Sequence, residues 1–361
     1  MHLPIEPAAS LPFSLVPRDY VPHVCVVVPA HNEEEVLEQV YSRIKRVLDE
    51  LAVPWSILFV NDGSEDGTLA VLESLYARDE RVSYLVLSRN FGHQAALGAG
   101  LDRADADVVI TMDADLQHPP ELIRVLVDAW RRGYDVVHTR KTVTEEQSRA
   151  RSLVTRVAYA AIKRVAQVNI IPQASDYRLL DREALEAVRG MPERGRLYRG
   201  LTPWIGFRQA VVAYRADARP NGRSRYGLRQ LVQLFARSFF DFSSAPLHLA
   251  LVLGSVAFAL CSGYMLFVLG AYVFGNSMPR GFVPLIFAVV FLGSVNLTFT
   301  GILGVYLARI YDEVRGRPTY IVGRFREHAK ARGDASETSW ASTTNGHKLV
   351  DLQSVQQPRR S

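Results

Sequence analysis

Short apolar-rich runs punctuate the first part of the chain: Val24-Cys25-Val26-Val27-Val28-Pro29, Ile57-Leu58-Phe59-Val60, Val82 to Leu87 and Val108-Val109-Ile110-Thr111-Met112, with a fifth, more polar one at Asp135 to Thr139. Their lengths and β-branched content predict strands, and the absence of alternation predicts burial on both faces. Between them, Asn32 with Glu33-Glu34-Glu35 starts a predicted helix running to about Leu51, and Asp66-Gly67-Thr68 turns into a second. Ser88 to Gln94 opens a third that ends near Ala104, and Pro119-Pro120 suits the first turn of a fourth reaching Arg132. Strands alternating with helices of this length predict an α/β fold with a mainly parallel sheet flanked by helices.

The pattern then changes. From Arg149 to Val165, basic residues interleave with Leu153, Val154, Val157, Tyr159, Ala160 and Ile162, which fits an amphipathic helix at a membrane surface or a helix covering the sheet. A second amphipathic stretch runs from Leu228 to Phe242. Leu247 to Phe274 and Phe282 to Ala308 are each long enough to cross ~30 Å of hydrocarbon, so two transmembrane helices are expected. Within the second, Asn296, Thr298 and Thr300 could join helices across a bundle or bond back to their own backbone. Asp334 to Ser361 is polar without an apolar period and reads as a disordered tail.

With 361 residues, the chain holds one sizeable α/β domain and a further part, since single cores seldom exceed ~250 residues. The expected division is 1–22, a poorly ordered arm without signal-peptide features; 23–218, the α/β domain; 219–245, a basic loop and interfacial helix; 246–311, two spans; 312–333, a basic segment; and 334–361, the tail. Cys25 and Cys261 fall in a buried strand and a membrane segment, so neither a disulfide framework nor thiolate metal ligation is expected, and a reducing cytoplasm fits. The net charge of +5 is modest but unevenly placed. Arg219, Arg223, Arg225, Arg229 and Arg237 precede the first span, Arg309, Arg315, Arg317, Arg324 and Arg326 follow the second, and only Arg280 lies in the connecting turn. Both soluble ends are therefore expected in the cytoplasm, facing anionic lipid rather than nucleic acid.

The candidate chemistry sits at strand ends. Val108 to Met112 stops on Asp113-Ala114-Asp115-Leu116-Gln117, at the sheet edge where open α/β sheets bind ligands. Two carboxylates one residue apart repel unless a cation lies between them, and Asp113, Asp115 and Gln117 offer the hard oxygen ligands that suit Mg²⁺ or Mn²⁺. The competing reading is a solvated loop whose aspartates cap the next helix. Arg89, beside a helix amino terminus, makes an anion site that could meet a diphosphate. Asn61-Asp62-Gly63-Ser64 could be turn chemistry alone, and the glutamates after Asn32 could merely compensate a helix dipole. Four successive strand ends with polar motifs on one edge are more specific than any single motif. Ala95 to Gly100 packs a helix closely on the sheet, and no GxGxxG follows the first strand, which excludes a dinucleotide fingerprint.

The string DADLQHPPE resembles the metal-binding motif of the inverting family-2 glycosyltransferases with a GT-A fold, in the form found in polyprenyl-phosphate glycosyltransferases such as dolichyl-phosphate mannose synthase. The resemblance covers about Val24 to Phe325, spans included. PAHNEEE resembles the family's first nucleotide-contacting loop, which implies that Pro29, His31 and Glu33 line the nucleoside pocket; Asp62 is implied as acceptor of a hydrogen bond from the base. Ala174 to Arg182 resembles the acceptor-side motif Gly-Asp-Phe/Tyr-Arg-Leu, with Ala174 and Ser175 in its loop, and carries Asp176 and Arg178 over. A planar guanidinium binds two oxygens at once, which suits Arg178 to a phosphate. Arg219 to Tyr226 resembles the segment reading Gly-x-Ser-Lys-Tyr, placing Ser224 and Arg225 at the acceptor phosphate; a basic juxtamembrane anchor is the alternative. Asp115, Arg178 and Arg225 are then the catalytic candidates.

What the resemblance implies is metal-dependent, inverting transfer of a sugar from a nucleotide-sugar donor to a polyprenyl phosphate at the cytoplasmic membrane face. Uridine diphosphate glucose and undecaprenyl phosphate are the leading substrates, by likeness to bacterial undecaprenyl-phosphate glucosyl and aminoarabinosyl transferases. A homo-oligomer and a downstream flippase are implied partners. The alternatives are a processive polysaccharide synthase, which carries a Gln-x-x-Arg-Trp motif missing around Trp204, and a membrane-tethered nucleotide-sugar sensor without turnover.

Overall fold

The computed structural model describes residues 5–8, 14–142, 171, 174–193, 196–215, 254–256, 259–260, 263, 266–267 and 282–328. The chain divides into two compact units, one of 1–152, 169–224 and 318–361, the other of 153–168 and 225–317. In the first unit the apolar runs become β2 (Val24–Ala30), β3 (Trp55–Asn61), β4 (Val82–Leu87), β5 (Val108–Thr111) and β6 (Val136–Thr142), joined through α1 (Leu37–Leu51), α2 (Thr68–Arg78), α3 (His93–Arg103) and α4 (Leu122–Arg131). Then come β7 (Ala174–Asp181), α5 (Arg182–Arg189), α6 (Tyr198–Trp204) and β8 (Gln209–Arg215).

With β1 (Ile5–Pro7) and β9 (Val322–Arg326) these form a nine-stranded sheet in the order β1-β8-β6-β7-β5-β2-β3-β4-β9. The four central strands β5, β2, β3 and β4 are mutually parallel, as the alternation with helices predicts. β6 and β8 are parallel to each other, and β7 lies antiparallel between β5 and β6. Every residue of β2 is buried. Val24, Val26 and Val28 enter one core with Leu37, Ile44 and Leu126, while Cys25 and Val27 enter a second with Leu97 and Ala99, the two-residue period of a strand covered on both faces. The small run in α3 packs as expected: a Cβ on Gly100 would lie 2.3 Å from a Val27 methyl.

One expectation needs correction, and two segments carry more structure than their composition suggests. The first helix starts at Leu37, five residues after Asn32, because Asn32 adopts a left-handed φ of 55° and spends its side chain elsewhere. Its Oδ1 accepts from the Glu65 amide at 2.9 Å and Glu34 Oε2 accepts from the Gly67 amide at 2.7 Å, so the glutamate segment forms a turn stitched to the loop after β3 and the regular helix follows it. The arm before residue 23 is also more engaged than its composition suggests. Ile5–Pro7 pairs antiparallel with β8, and Arg18 donates to the Trp130 carbonyl at 2.7 Å and to Asp135 at 2.5 Å. Finally, the basic segment after the last span includes β9, antiparallel to β4, with Arg324 on Glu73 at 2.7 Å and the Tyr320 hydroxyl on Asp102 at 2.9 Å.

In the second unit, α7 (Phe282–Arg315) contains Phe291–Arg315, long and apolar enough to cross a membrane, with mean hydropathy 1.5. Thr298 and Thr300 donate to the carbonyls of Ser294 and Asn296, at 2.9 and 3.0 Å, so both hydroxyls bond back within their own helix. Apart from short helical pieces within 254–267, the first expected span lies outside the described residues, as do 149–165, 228–242 and the tail.

Candidate active site

The carboxyl ends of β2, β3, β4 and β5 bring their loops to one edge, as anticipated. Gly63 lets two of them meet: at φ 61°, a Cβ there would lie 2.4 Å from the Arg89 carbonyl carbon. Asp62 is buried and accepts from the Phe91 and Gly92 amides, at 2.7 and 2.9 Å, so it fixes the loop after β4. Each of its oxygens keeps a second lone pair that could serve a base. His31 is exposed and held at both nitrogens, Nδ1 by the Asp62 carbonyl at 2.9 Å and Nε2 by the Asn90 amide at 2.9 Å. Arg89, also exposed, lies over the Phe91 ring, 4.0 Å from its centroid. Pro29 is the penultimate residue of β2, paired with Val60.

After β5, Leu116 takes a left-handed φ of 57° and the Gln117 amide donates to Asp115 Oδ1 at 3.1 Å. Asp115 thus closes its own turn; α4 starts later, at Leu122, with no side-chain cap. Ligand atoms of Asp113, Asp115 and His118 lie within 4.8 Å of one another. Both carboxylates are half-buried, and no Lys or Arg ion pair is recorded on either among the described residues. This donor set fits a hard divalent cation. Gln117, expected as a third ligand, accepts from Lys141 at 3.3 Å through Oε1, and its buried Nε2 has no partner. The structure places His118 against the carboxylates instead, hydrogen-bonded to one of them: its Nε2 lies 2.9 Å from Asp113 Oδ2. Burial would raise the Asp113 carboxyl, but the His118 hydrogen bond and the charges of His118 and His93 hold it below its ordinary value. For Glu33 the balance is reversed. Burial and the fields of Asp115, Asp66 and Asp113 push its carboxyl up, the mark of negative charge gathered at one place.

The acceptor-side motif forms β7, a strand rather than a loop, with Thr111 in register with Arg178. Asp176 is 1 % exposed. Its Oδ1 accepts from Arg178 at 2.9 Å and its Oδ2 from Arg199 at 2.7 Å and Gln94 at 3.2 Å. Burial opposes ionisation, yet His93, Arg178 and Arg199 hold this carboxyl far below the usual range. Arg178, expected to present its guanidinium to a phosphate, is 1 % exposed and committed to the protein. It donates to the Tyr198 carbonyl at 2.6 Å, Thr202 Oγ1 at 2.5 Å and the Ser175 carbonyl at 3.0 Å. The expectation fails because position 178 points under α6, a fact set by strand pairing. Arg199, on α6, is the guanidinium with half its side chain in solvent. His93 joins the two sides, with Nε2 3.4 Å from Asp113 and 3.5 Å from Asp176. Ser224 and Arg225 lie outside the described residues.

Of the residues that sequence reasoning missed, His118 sat inside the string DADLQHPPE, and His93 opened a predicted helix at the ligand edge. Arg199 and Tyr214 carried no local signal.

The sequence model described as glycosyl transferase family 2 matches residues 25–189. An uncharacterised glycosyltransferase of Synechocystis is 38% identical over 82% of this chain and 93% of its own. The chain belongs to glycosyltransferase family 2. Two further members are similar over most of their length: an uncharacterised glycosyltransferase of Bacillus subtilis, 36% identical over 82% of this chain and 92% of its own, and a prophage-derived bactoprenol glucosyl transferase of Shigella flexneri, 34% identical over 83% and 97%. The family's GT-A fold is the sheet described above, and the protein is a glycosyltransferase whose acidic loop after β5 faces the ends of the parallel strands.

Proposed function

We propose that the protein transfers glucose from uridine diphosphate glucose to a polyprenyl phosphate, inverting the anomeric carbon, at the cytoplasmic face of a membrane. The observation that carries this reading is the single imidazole between two unlike halves: His93 lies between Asp113, in the acidic cluster, and Asp176, held by two guanidiniums. The relative in Shigella flexneri, named for bactoprenol glucosyl transfer, supports the choice of acceptor and sugar.

Asp113 and Asp115 are the carboxylates that would hold Mg²⁺ or Mn²⁺, with His118 and Gln117 beside them. A divalent cation supplies Lewis-acid stabilisation of charge on a departing diphosphate. The rest falls to the protein's own groups. Pro29, His31, Glu33 and Asp62 form the nucleoside side, and Arg89 with the amides at the start of α3 faces the diphosphate. Arg199 meets the acceptor phosphate beside Asp176, while Arg178 holds Asp176 in place from below. Ser224 and Arg225 complete the acceptor side.

No strong general base is required. A phosphate monoester has a second pKa of ~6, so the attacking oxygen is already largely ionised in the cytoplasm. Asp176, held far below the usual carboxylate range, is a weak base in any case. Attack opposite the leaving diphosphate gives a β-linked lipid from an α-linked donor.

The membrane assignment is supported by connectivity. α7 ends at Arg315, and a few residues later the chain forms β9, which pairs with β4 of the sheet. If α7 crosses a bilayer, the segment between β8 and α7 must cross it an odd number of times, and the apolar run Leu247 to Phe274 is long enough for one crossing. Transfer of radiolabel from a panel of nucleotide sugars to undecaprenyl phosphate, with purified protein in detergent, tests the function. Uridine diphosphate glucose should be used best and excess chelator should stop the reaction; labelling of a lipid-free polysaccharide instead would overturn the assignment.

A further inference from the structure

His118 and Tyr214 come from elements far apart in sequence and meet under the acidic loop. Tyr214 is the penultimate residue of β8, paired with Lys141, and is 2 % exposed; His118 is 1 % exposed. The Tyr214 hydroxyl lies 2.8 Å from His118 Nδ1, and His118 Nε2 lies 2.9 Å from Asp113 Oδ2. The carboxylate accepts from His118 Nε2–H, and His118 Nδ1 meets the Tyr214 hydroxyl, so the imidazole bridges the two. Tyr177 closes the pocket, its ring 5.3 Å edge-on from His118 and 6.3 Å from Tyr214, and its hydroxyl donates to the Pro119 carbonyl at 3.2 Å. Ser175 Oγ lies 3.4 Å from both ring nitrogens. Both nitrogens of the imidazole are therefore engaged inside the protein, and one of them bonds to a carboxylate of the acidic cluster.

We propose that His118 and Tyr214 are positioning residues for the divalent cation: a buried Tyr214–His118–Asp113 chain that aims the Asp113 carboxylate, with His118 acting through Asp113 rather than as a ligand. Outer partners of this type fix ligand orientation and raise ligand basicity, and their loss lowers metal affinity about 10- to 100-fold. The chain also ties the acidic loop to the strand that leads into the segment bearing Ser224 and Arg225. The proposal rests on the functional reading above, in which Asp113 serves a metal.

The test is Mn²⁺ binding to full-length protein in detergent with uridine diphosphate present, read from the free-Mn²⁺ electron paramagnetic resonance signal. His118→Ala should weaken binding about 10- to 100-fold, Tyr214→Phe about 3- to 10-fold, and His118→Gln, which can still donate, less than His118→Ala. At saturating Mn²⁺, the Tyr214→Phe variant should regain most of its kcat. Pulsed spectra of wild-type protein with Mn²⁺ should lack the hyperfine coupling of a directly bonded nitrogen. Such a coupling would overturn the proposal by making His118 a ligand, and unchanged affinities with lowered melting temperatures would overturn it by reducing the chain to core packing. Absence of Mn²⁺ binding in the wild-type protein would remove the metal reading itself, and this inference with it.

Discussion

In the proposed function, the donor side takes Pro29, His31, Glu33, Asp62, Arg89, Asp113 and Asp115 from the ends of four adjacent parallel strands, whereas the acceptor side takes Asp176 and Arg178 from an antiparallel strand and Arg199 from α6. On the donor side His31, Glu33, Arg89, Asp113 and Asp115 are half-buried or exposed, Pro29 and Asp62 are buried, and the loops are held by one another. On the acceptor side the charge is interior: Asp176 and Arg178 are each 1 % exposed, and only Arg199 reaches solvent. The contrast separates two uses of charge. Donor-side carboxylates repel one another and invite a cation, while the acceptor-side carboxylate is already neutralised by the protein and serves to hold a guanidinium in position.

The largest expected effect comes from the donor side. Asp115→Asn should lower turnover on the order of a thousandfold while the melting temperature moves little, because the group stabilises charge rather than the fold. A transfer assay beside a thermal scan checks this; turnover near wild type would break the contrast at once.

The donor side was the legible one. A strand end followed by a polar loop is a local pattern, so Asp113, Asp115, Asp62 and Arg89 could be placed on one edge from periodicity alone, and the family resemblance sharpened their roles. Orientation on the acceptor side depends on which strands pair. Ala174–Asp181 belongs between β5 and β6 only because the chain reverses there, and no residue in Asp176-Tyr177-Arg178 says that position 178 points inward. Arg199 and Tyr214 were invisible for the same reason. The early start assigned to α1 failed locally, since Asn32 and the glutamates after it find partners on another loop.

A second pair of variants sharpens the comparison on the acceptor side itself. Arg178→Ala should destabilise the protein by about 3–5 kcal/mol, the cost of removing the buried guanidinium on Asp176 Oδ1 and its bonds to α6, whereas Arg199→Ala, at a half-exposed side chain, should change stability less and should raise KM for the lipid acceptor more than for the nucleotide sugar. Chemical denaturation and two-substrate kinetics read the two effects; equal losses of stability would erase the distinction.

Smaller still is a pH effect. His138 pairs in register with Arg178 and is fully buried, and burial with the neighbouring guanidinium depresses its pKa to about 3. A depressed histidine keeps its full contribution above its unfolded value of about 6.5, and stability is lost as pH falls from there toward the folded value, because the unfolded chain alone takes up the proton. Between pH 6.5 and 5, wild-type protein should lose about 1–2 kcal/mol that a His138→Gln variant keeps, measured by denaturation at each pH. Parallel curves for the two proteins would show that His138 is not the sensitive group. The smallest effect is expected at Glu34→Ala, which removes one exposed cross-loop hydrogen bond and should cost about 0.5–1.5 kcal/mol with a modest rise in KM for the donor.

The measurement that bears most directly on the account is the anomeric configuration of the lipid product, read by NMR after turnover with α-linked uridine diphosphate glucose and undecaprenyl phosphate. With the donor held at the strand ends and the acceptor phosphate held beside Asp176 and Arg199, a single displacement gives a β-linked glucosyl phosphate; an α-linked product would contradict the arrangement of the two halves.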